Sequence, residues 1–291
     1  MTKDNFITIM FMNFSRFLLK FCKAKKMAAA SLFFLTIFVI TALFAPLIAP
    51  YDYDEQDLEG RLKPPDEDHF FGRDQFGRDI FSRVIYGTRI SLEVGLLVVL
   101  ISSAIGVAIG SIAGYFSGFL DDFLMRIIDI LLAFPGILLA IAIMAILGPS
   151  LNNVILALCL IGWVSYARLA RGEVLSVKEM DYIEAARSIG CSNTRIIIFH
   201  VLPNILAPVI VQSTLGIAGV IIGEAGLSFL GLGVQPPTPS WGSMLSDGKN
   251  YIFEAPHLTL FPGFAIMIVV MSFNFLGDGL RDILNPRMRG D

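Results

Sequence analysis

The stretch of residues 178–200 is the most polar part of the C-terminal half, and strongly apolar runs lie on both sides of it. Charged side chains recur in it at every third position: Lys178, Asp181, Glu184 and Arg187. Apolar side chains fall at helical spacing on another side: Tyr182, Ile183, Ala186 and Ile189. This pattern predicts a short amphipathic helix.

Residues with special backbone properties mark the end of this helix and the start of the next. Gly190 suits a helix C-cap, where a left-handed residue is needed. Ser192 or Asn193 can cap a second helix, which then meets Pro203. Because Ala185 and Ala186 keep part of the first helix thin, we expect the backbone of another protein to approach it closely. The pattern therefore indicates a helix that docks against another protein.

Several other kinds of site are excluded by the sequence. A DNA-reading helix-turn-helix would need a basic face, and none accompanies this stretch. The three cysteines and three histidines are scattered, so we expect neither a disulfide framework nor a metal site. The chain lacks a GxxxxGK[ST] loop and therefore does not itself hold ATP. A net charge of −3 does not indicate a nucleic-acid partner.

The elements that must position this helix are membrane spans. Hydrophobic residues make up 55% of the 291 residues and charged residues only 16%, whereas a soluble domain is about a quarter charged. Mean hydropathy is +0.71. The candidate spans are 27–49, 90–115, 127–147, 154–169, 205–223 and 258–276. The sequence thus predicts an all-α membrane protein with six transmembrane helices.

Lysines before the first span and arginines after the last place both termini in the cytoplasm. The chain then divides into a cytoplasmic N-terminus (1–26), a first transmembrane anchor (27–49), an extracytoplasmic segment (50–89) and a core (90–291) that carries the docking helix near 178–200. A cleaved signal peptide is the alternative for the N-terminus, but its apolar run is too long for one.

Glycines and prolines shape the spans and the outer segment. Gly106, Gly110 and Gly114 form consecutive GxxxG steps, which allow close helix packing. Pro135 predicts a kink in the third span. Residues 224–242 are too rich in glycine and proline to be regular helix throughout, and we expect them on the outer face. Two Gly-Arg-Asp units in the extracytoplasmic segment suggest a hydrogen-bonded turn that leads into a helix; a solvated loop is the alternative.

Three ionisable residues near the membrane interior are candidates for the translocation path or its gate: Arg126, Asp129 and Glu224. Arg126 and Asp129 are spaced i,i+3, and we favour a self-neutralising pair that fixes helix packing. Glu224 follows the fifth span. It could line the path or equally cap or pair locally.

The docking stretch resembles a known signature. Glu184-Ala-Ala-x3-Gly190, followed by Leu202-Pro203, is similar to the EAA signature of ABC importer permeases. In that family the signature forms the coupling helix, which docks in a groove on the ATPase subunit.

The resemblance extends over nearly the whole chain. Residues 71–91 resemble the GTDxLGRDxxSRxxxGxRxS stretch of dipeptide and oligopeptide permeases, although Arg73 replaces the usual threonine. Residues 224–242 match the EaxLSFLGLGxxPPxPxWG pattern of peptide permeases. With the tail Gly277-Asp-Gly-Leu-Arg-Asp, these motifs resemble the C-type subunit of the dipeptide, oligopeptide and nickel group.

This resemblance implies a type I ABC importer permease fold in the bacterial cytoplasmic (inner) membrane. It implies import of di- or oligopeptides, or of nickel chelates, by an assembly with a homologous B-type permease, two ABC ATPase subunits and an extracytoplasmic solute-binding protein. The ATPases bind ATP and magnesium and hydrolyse the nucleotide. The permease itself is then no enzyme, and no cofactor is expected in this chain.

The same resemblance implies roles for individual residues in ATPase coupling. Glu184 would contact the ATPase, Ala185 and Ala186 would permit close approach, and Gly190 would set the turn; Leu202 and Pro203 complete the signature. Ala186→Glu or Gly190→Asp is expected to leave the protein inserted but to uncouple ATP hydrolysis from uptake.

Two readings from other classes compete with the importer. A secondary, ion-coupled transporter would need coupling groups in mid-membrane and discontinuous helices, whereas the candidates here lie near span ends. An intramembrane enzyme would need a convergent set of catalytic groups, and no histidine lies near a span centre. We therefore favour the importer and keep the secondary transporter as the alternative.

Overall fold

The structure is a computed structural model that describes residues 26–284. The predicted cytoplasmic N-terminus, except for Lys26, and residues 285–291 lie outside the described residues. Within 26–284 the regular structure is helical, apart from an isolated β-bridge between Arg73 and Asp79. The helices are α1 (Lys26–Leu43), α2 (Ala45–Ile48), α3 (Ile80–Phe116), α4 (Phe119–Leu132), α5 (Gly136–Leu147), α6 (Leu151–Val177), α7 (Asp181–Ser188), α8 (Asn193–Phe229), α9 (Trp241–Gly248) and α10 (His257–Leu284).

Five of the described helices, α1, α3, α6, α8 and α10, are long and apolar enough to cross a membrane. The pair α4 and α5 passes the same test together but bends by 86° between its halves. The prediction of an all-α membrane protein is therefore confirmed, and the six predicted spans correspond to these five helices plus the bent pair when α4 and α5 are counted as one broken span. The break follows from Pro135, which has no N–H and disfavours helical backbone at Phe134.

Two spans begin earlier in the chain than the sequence analysis placed them. α3 is 37 residues long and starts at Ile80, inside the segment predicted to be extracytoplasmic. α8 also has 37 residues and starts at Asn193. The helix predicted to end near Pro203 and the span predicted to begin at residue 205 are one continuous helix. A π-helical turn at Ile197–Val201 precedes Pro203. Such a turn accommodates the missing N–H of the proline within a continuous helix.

The glycine face of α3 packs directly against the backbone of α6. A Cβ atom at Gly106 or Gly110 would overlap the carbonyl oxygen of Trp163 or Ala167, and one at Gly114 would lie 3.0 Å from that of Arg171. Contacts at successive turns of both helices are what GxxxG steps permit. The predicted close packing is confirmed, and it fixes α6, from which α7 follows.

The two Gly-Arg-Asp units build a folded polar segment before α3. The carboxylate of Asp74 accepts hydrogen bonds from the backbone N–H groups of Phe76 (2.8 Å) and Arg78 (3.0 Å) and from Nε of Arg78 (2.6 Å). Asp79 caps α3 by accepting from the N–H of Ser82 at 2.7 Å. Asp74, Arg78 and Asp79 are all buried. The predicted hydrogen-bonded turn is confirmed, and the solvated-loop alternative is wrong.

The glycine- and proline-rich stretch 224–242 is helical at both ends and irregular between them, as predicted. α8 continues to Phe229, and α9 begins after Ser240, whose side chain accepts from the N–H of Ser243 at 3.2 Å. Trp241 is fully buried and donates its indole N–H to the carbonyl oxygen of Val84 on α3 at 3.1 Å. This bond ties the loop to the start of the second span.

Candidate coupling helix and candidate path residues

One side of α7 is anchored in the core of the subunit. Ile183 is completely buried and Ala186 is 5% exposed. They pack with Val174 and Val177 of α6 and with Ile196 of α8. Because these apolar contacts come from helices on both sides of it, α7 is held as a rigid projection between α6 and α8.

The other side of α7 is exposed. Glu184 and Ala185 are exposed there, and Ile189 is 81% exposed. The apolar stripe predicted from the sequence therefore divides: Ile183 and Ala186 face the core, whereas Tyr182 and Ile189 face outward. The expectation that Ala186 offers space to another protein is wrong, because its methyl group contacts this subunit. Ala185 is the alanine whose small side chain lies on the exposed side of α7 and permits close approach there.

Gly190 ends α7 with φ +83°, the left-handed conformation that a side chain disfavours. Its N–H donates to the carbonyl oxygen of Arg187 at 3.0 Å, and the N–H of Cys191 donates to that of Ala186 at 3.0 Å. These two bonds form a Schellman motif. Ser192 then caps α8 through the N–H of Arg195 at 3.4 Å. The role of Gly190 in the turn is confirmed, and Ser192 is the capping residue.

The remaining signature residues lie at the π-helical turn. Leu202 is partly buried and packs against the same core cluster as Ile183. Pro203 is exposed. They lie where the π-helical turn meets the membrane-spanning part of α8. Their contribution to ATPase coupling stays a prediction.

Tyr115, which the sequence analysis did not single out, joins three helices beneath α7. Its hydroxyl donates to Oδ1 of Asn193 at 3.0 Å. The guanidinium carbon of Arg187 lies 5.2 Å from the centre of its ring, a distance at which a cation–π interaction is favourable. The sequence carries a weak signal for this role, since Tyr115 is simply an aromatic residue at the end of an apolar span.

Asp129 forms an ion pair with a different arginine from the one predicted. Its Oδ1 accepts from Nη2 of Arg168 on α6 at 2.6 Å, and both side chains are more than half exposed. The expected pair with Arg126 is therefore wrong. The reason is that α4, turned aside by the bend after Leu132, lies against α6, so an arginine of α6 reaches the carboxylate. Arg126 is exposed on α4.

A second ion pair in the same place is more buried and was not predicted. Asp121, 5% exposed, accepts from Nε and Nη2 of Arg171 at 2.6 and 2.7 Å. This bidentate geometry is the strong form of an arginine–carboxylate contact. Lys178 donates to the hydroxyl of Ser117 at 2.6 Å nearby. These contacts tie the start of α4 to the end of α6, directly before α7.

Glu224 lies inside α8 and not at its end, because the helix continues to Phe229. It is completely buried, and its Oε1 accepts from the hydroxyl of Ser228 at 2.6 Å. The side chains of Ser91 and Ser240 face the same carboxyl group, while Oε2 lacks a partner at normal hydrogen-bond geometry in the part of the chain that the structure describes. Within this subunit Glu224 pairs locally, and a role in the translocation path stays a prediction.

Comparison with known proteins decides the family. Residues 106–290 match the family described as "Binding-protein-dependent transport system inner membrane component". The chain belongs to this family. Residues 14–65 of the permease also match the N-terminal transmembrane domain of oligopeptide transport permease C. The permease is therefore the membrane-spanning component of an ABC importer, and the comparisons do not support the alternative of a secondary transporter.

Curated relatives resemble the permease over almost its full length. It is 49% identical to the dipeptide transport system permease protein DppC of Alkalihalophilus pseudofirmus, over 92% of this chain and 88% of the relative. It is 46% identical to the glutathione transport system permease protein GsiD of Escherichia coli, over 92% of this chain and 89% of the relative. Both matches include α7.

Solved structures share the fold of the permease. An inward-facing structure of the MetNI methionine ABC transporter aligns with a TM-score of 0.59 and 17% identity, over 71% of the permease and 98% of the matched chain. An amino acid ABC transporter with histidines aligns with a TM-score of 0.50 and 15% identity, over 68% and 92%. The predicted importer permease fold is thus confirmed.

Proposed function

We propose that the permease imports di- or oligopeptides as one half of a membrane pathway formed with a homologous B-type permease. Two relatives at 46% identity or more support this substrate class, since one transports dipeptides and the other transports glutathione, a small peptide, by their names. Nickel chelates are the other substrates that the sequence motifs allow. An extracytoplasmic solute-binding protein delivers the substrate.

The observation that carries the proposal is the two-sided character of α7. Its inner side is fixed by Ile183 and Ala186, and its outer side presents Glu184, Ala185 and Ile189. A short helix that is rigidly held, thin in the middle and partly apolar outside suits insertion into a groove on another protein. We infer that this partner is an ABC ATPase and that two such subunits bind the permease pair.

In this assembly the ATPases bind ATP with magnesium and hydrolyse it, so the permease itself is not an enzyme and needs no cofactor. The assembly lies in the bacterial cytoplasmic (inner) membrane with both termini of the permease in the cytoplasm. α7 then projects on the cytoplasmic side, where the ATPases are, and the folded polar segment before α3 lies outside.

The contacts around α7 suggest how its movement reaches the spans. When ATP draws the ATPases together, the groove carries α7 with it. Tyr115 passes the displacement to α3, and the π-helical turn before Pro203 passes it to α8. The ATPase favours one arrangement of the spans over the other by binding it more tightly, which is the requirement for a ligand-driven switch.

Reconstitution with the neighbouring genes tests the proposal. We expect the permease to co-purify with a second permease and P-loop ATPases, and to take up a radiolabelled dipeptide into liposomes when ATP and the binding protein are supplied. Glu184→Ala should reduce uptake, while Glu67→Ala, an exposed change in the polar segment, should not. A permease that transports dipeptides in response to an ion gradient without ATPases would contradict the proposal.

A further inference from the structure

A cavity of ≈ 290 Å³ lies within the permease subunit among α3, α5, α6 and α8, and no residue of α7 lines it. Most of its lining is aliphatic or glycine. The polar residues on its wall are Ser102, Ser165, Tyr166 and Gln212, and the described lining includes no charged side chain. Its size is at the lower end for ligand pockets, so it has room for part of a small peptide.

Two hydroxyl groups on the wall of this cavity lack hydrogen-bond partners among the described residues. Ser102 is 1% exposed and Tyr166 is 4% exposed. Within residues 26–284, Oγ of Ser102 and Oη of Tyr166 have no partner at normal geometry, although Cys159 and Ser213 lie near them. Burying a hydroxyl without a partner is unfavourable. These two groups are therefore available to a molecule that enters the cavity.

Glycines create the space around both hydroxyls. A Cβ atom at Gly162 would lie 2.7 Å from Oγ of Ser102, and one at Gly216 would lie 2.5 Å from Oη of Tyr166. A Cβ at Gly219 would meet nothing within 4 Å, so this position faces open space on the cavity wall. Larger residues at 162 and 216 would displace the hydroxyls, whereas one at 219 would fill the cavity.

We propose that this cavity is a transient binding site for a neutral, apolar side chain of the transported peptide, with the hydroxyls of Ser102 and Tyr166 as hydrogen-bond partners of the adjoining amide groups. The proposal rests on the proposed peptide import. An aliphatic wall stabilises an apolar side chain. A charged side chain is disfavoured here, because the wall offers no opposite charge to compensate for its lost hydration.

Photolabelling of the assembled importer in nanodiscs tests this site. The probe is a dipeptide of alanine and photo-leucine, whose side chain is aliphatic and carries a diazirine. We expect its label on α6 and α8 peptides that line the cavity. Gly219→Phe should abolish this labelling by filling the space, and Tyr166→Phe should weaken it. Gly172→Leu is the matched control, since Gly172 also has nothing within 4 Å but lies outside the lining.

Co-purification of the ATPases and uptake of the same dipeptide are measured in parallel. If Gly219→Phe does not assemble, Gly219→Leu and Tyr166→Phe carry the test. If the wild-type importer transports the probe but the Gly219→Phe variant is labelled to the same extent, the cavity is not the binding site. The proposal of peptide import would still stand. A wild-type assembly that neither transports nor is labelled would overturn both.

Discussion

The hydroxyl of Tyr115 donates a hydrogen bond of 3.0 Å to Oδ1 of Asn193. Tyr115 lies near the end of α3, and Asn193 is the first residue of α8, so this bond connects two spans next to α7. Arg187 of α7 lies over the same ring. The three residues form a direct mechanical connection between the projecting helix and two membrane spans.

Tyr115→Phe should therefore weaken coupling without unfolding the permease. The substitution removes the hydroxyl at a cost of about 1 kcal/mol but leaves the ring beneath Arg187. We expect uptake to fall several-fold, while the amount of protein and its association with the ATPases stay unchanged. Uptake assays and co-purification measure the two effects.

A double-mutant cycle with Asn193→Ala provides the control for this prediction. Because the two side chains share one hydrogen bond, the effects on the melting temperature should not add, and the interaction energy should be about 0.5–1.5 kcal/mol. Fully additive effects would mean that the bond is not formed in the assembled importer.

The two alanines of α7 should respond differently to the same substitution. Ala186→Glu places a carboxylate against Ile183 and the core, so we expect destabilisation of about 2–4 kcal/mol and little folded protein. Ala185→Glu changes an exposed position and should leave the fold intact but prevent ATPase docking. Thermal melts and ATPase co-purification distinguish the outcomes. Equal, well-folded behaviour of both variants would show that the inner side of α7 is misassigned.

This contrast shows what the sequence could and could not predict. Helical spacing and Gly190 were sufficient to predict a short docking helix and its left-handed turn. They could not decide which alanine faces the core, because the amphipathic stripe contains four residues and only two of them are covered. Burial of Ile183 and Ala186 depends on contacts with α6 and α8, which the sequence pattern of α7 itself does not show.

The polar segment before α3 should depend strongly on Asp74. Its carboxylate lies 2.6 Å from Nε of Arg78 and 3.5 Å from Nε of Arg83, and all three residues are buried. Asp74→Asn leaves two buried guanidinium groups without the carboxylate charge. This change should lower the free energy of unfolding by about 3 kcal/mol. We expect faster proteolysis within residues 50–79.

Asp68→Asn is the matched control for this segment, since Asp68 is exposed. It should leave the rate of proteolysis unchanged. If the two variants are cleaved at the same rate, the buried ion-pair arrangement around Asp74 does not hold the segment together.

The close packing of α3 on α6 should not tolerate a single added methyl group. Gly110→Ala puts a Cβ atom against the carbonyl oxygen of Ala167, which is backbone and cannot move aside. We expect destabilisation of about 1–3 kcal/mol. Gly172→Ala, in open space, should be neutral or stabilise α6 by up to about 1 kcal/mol. Detergent melting curves compare the two, and equal melting temperatures would contradict the packing.

Charged residues in the spans were harder to interpret from the sequence than the glycines were. The GxxxG steps by themselves indicate close helix packing. The spacing of Arg126 and Asp129, by contrast, suggested a local pair, because a sequence does not show that α4 turns by 86° and meets Arg168 of α6. The sequence predicts a helix end at Glu224, because the glycines that follow it are unfavourable in helices. The helix nevertheless continues to Phe229.

The most direct measurement is a cysteine cross-link between α7 and the ATPase. The three native cysteines are first replaced by serine, and Ala185→Cys is then introduced into the co-expressed importer. We predict a permease–ATPase adduct with a short cross-linker that joins the introduced thiol to a lysine amine of the ATPase, and the yield of this adduct should change when ATP is added. Phe253→Cys, at a fully exposed position in the loop before α10, should give no such adduct. An adduct from Phe253→Cys but not from Ala185→Cys would contradict α7 as the coupling helix.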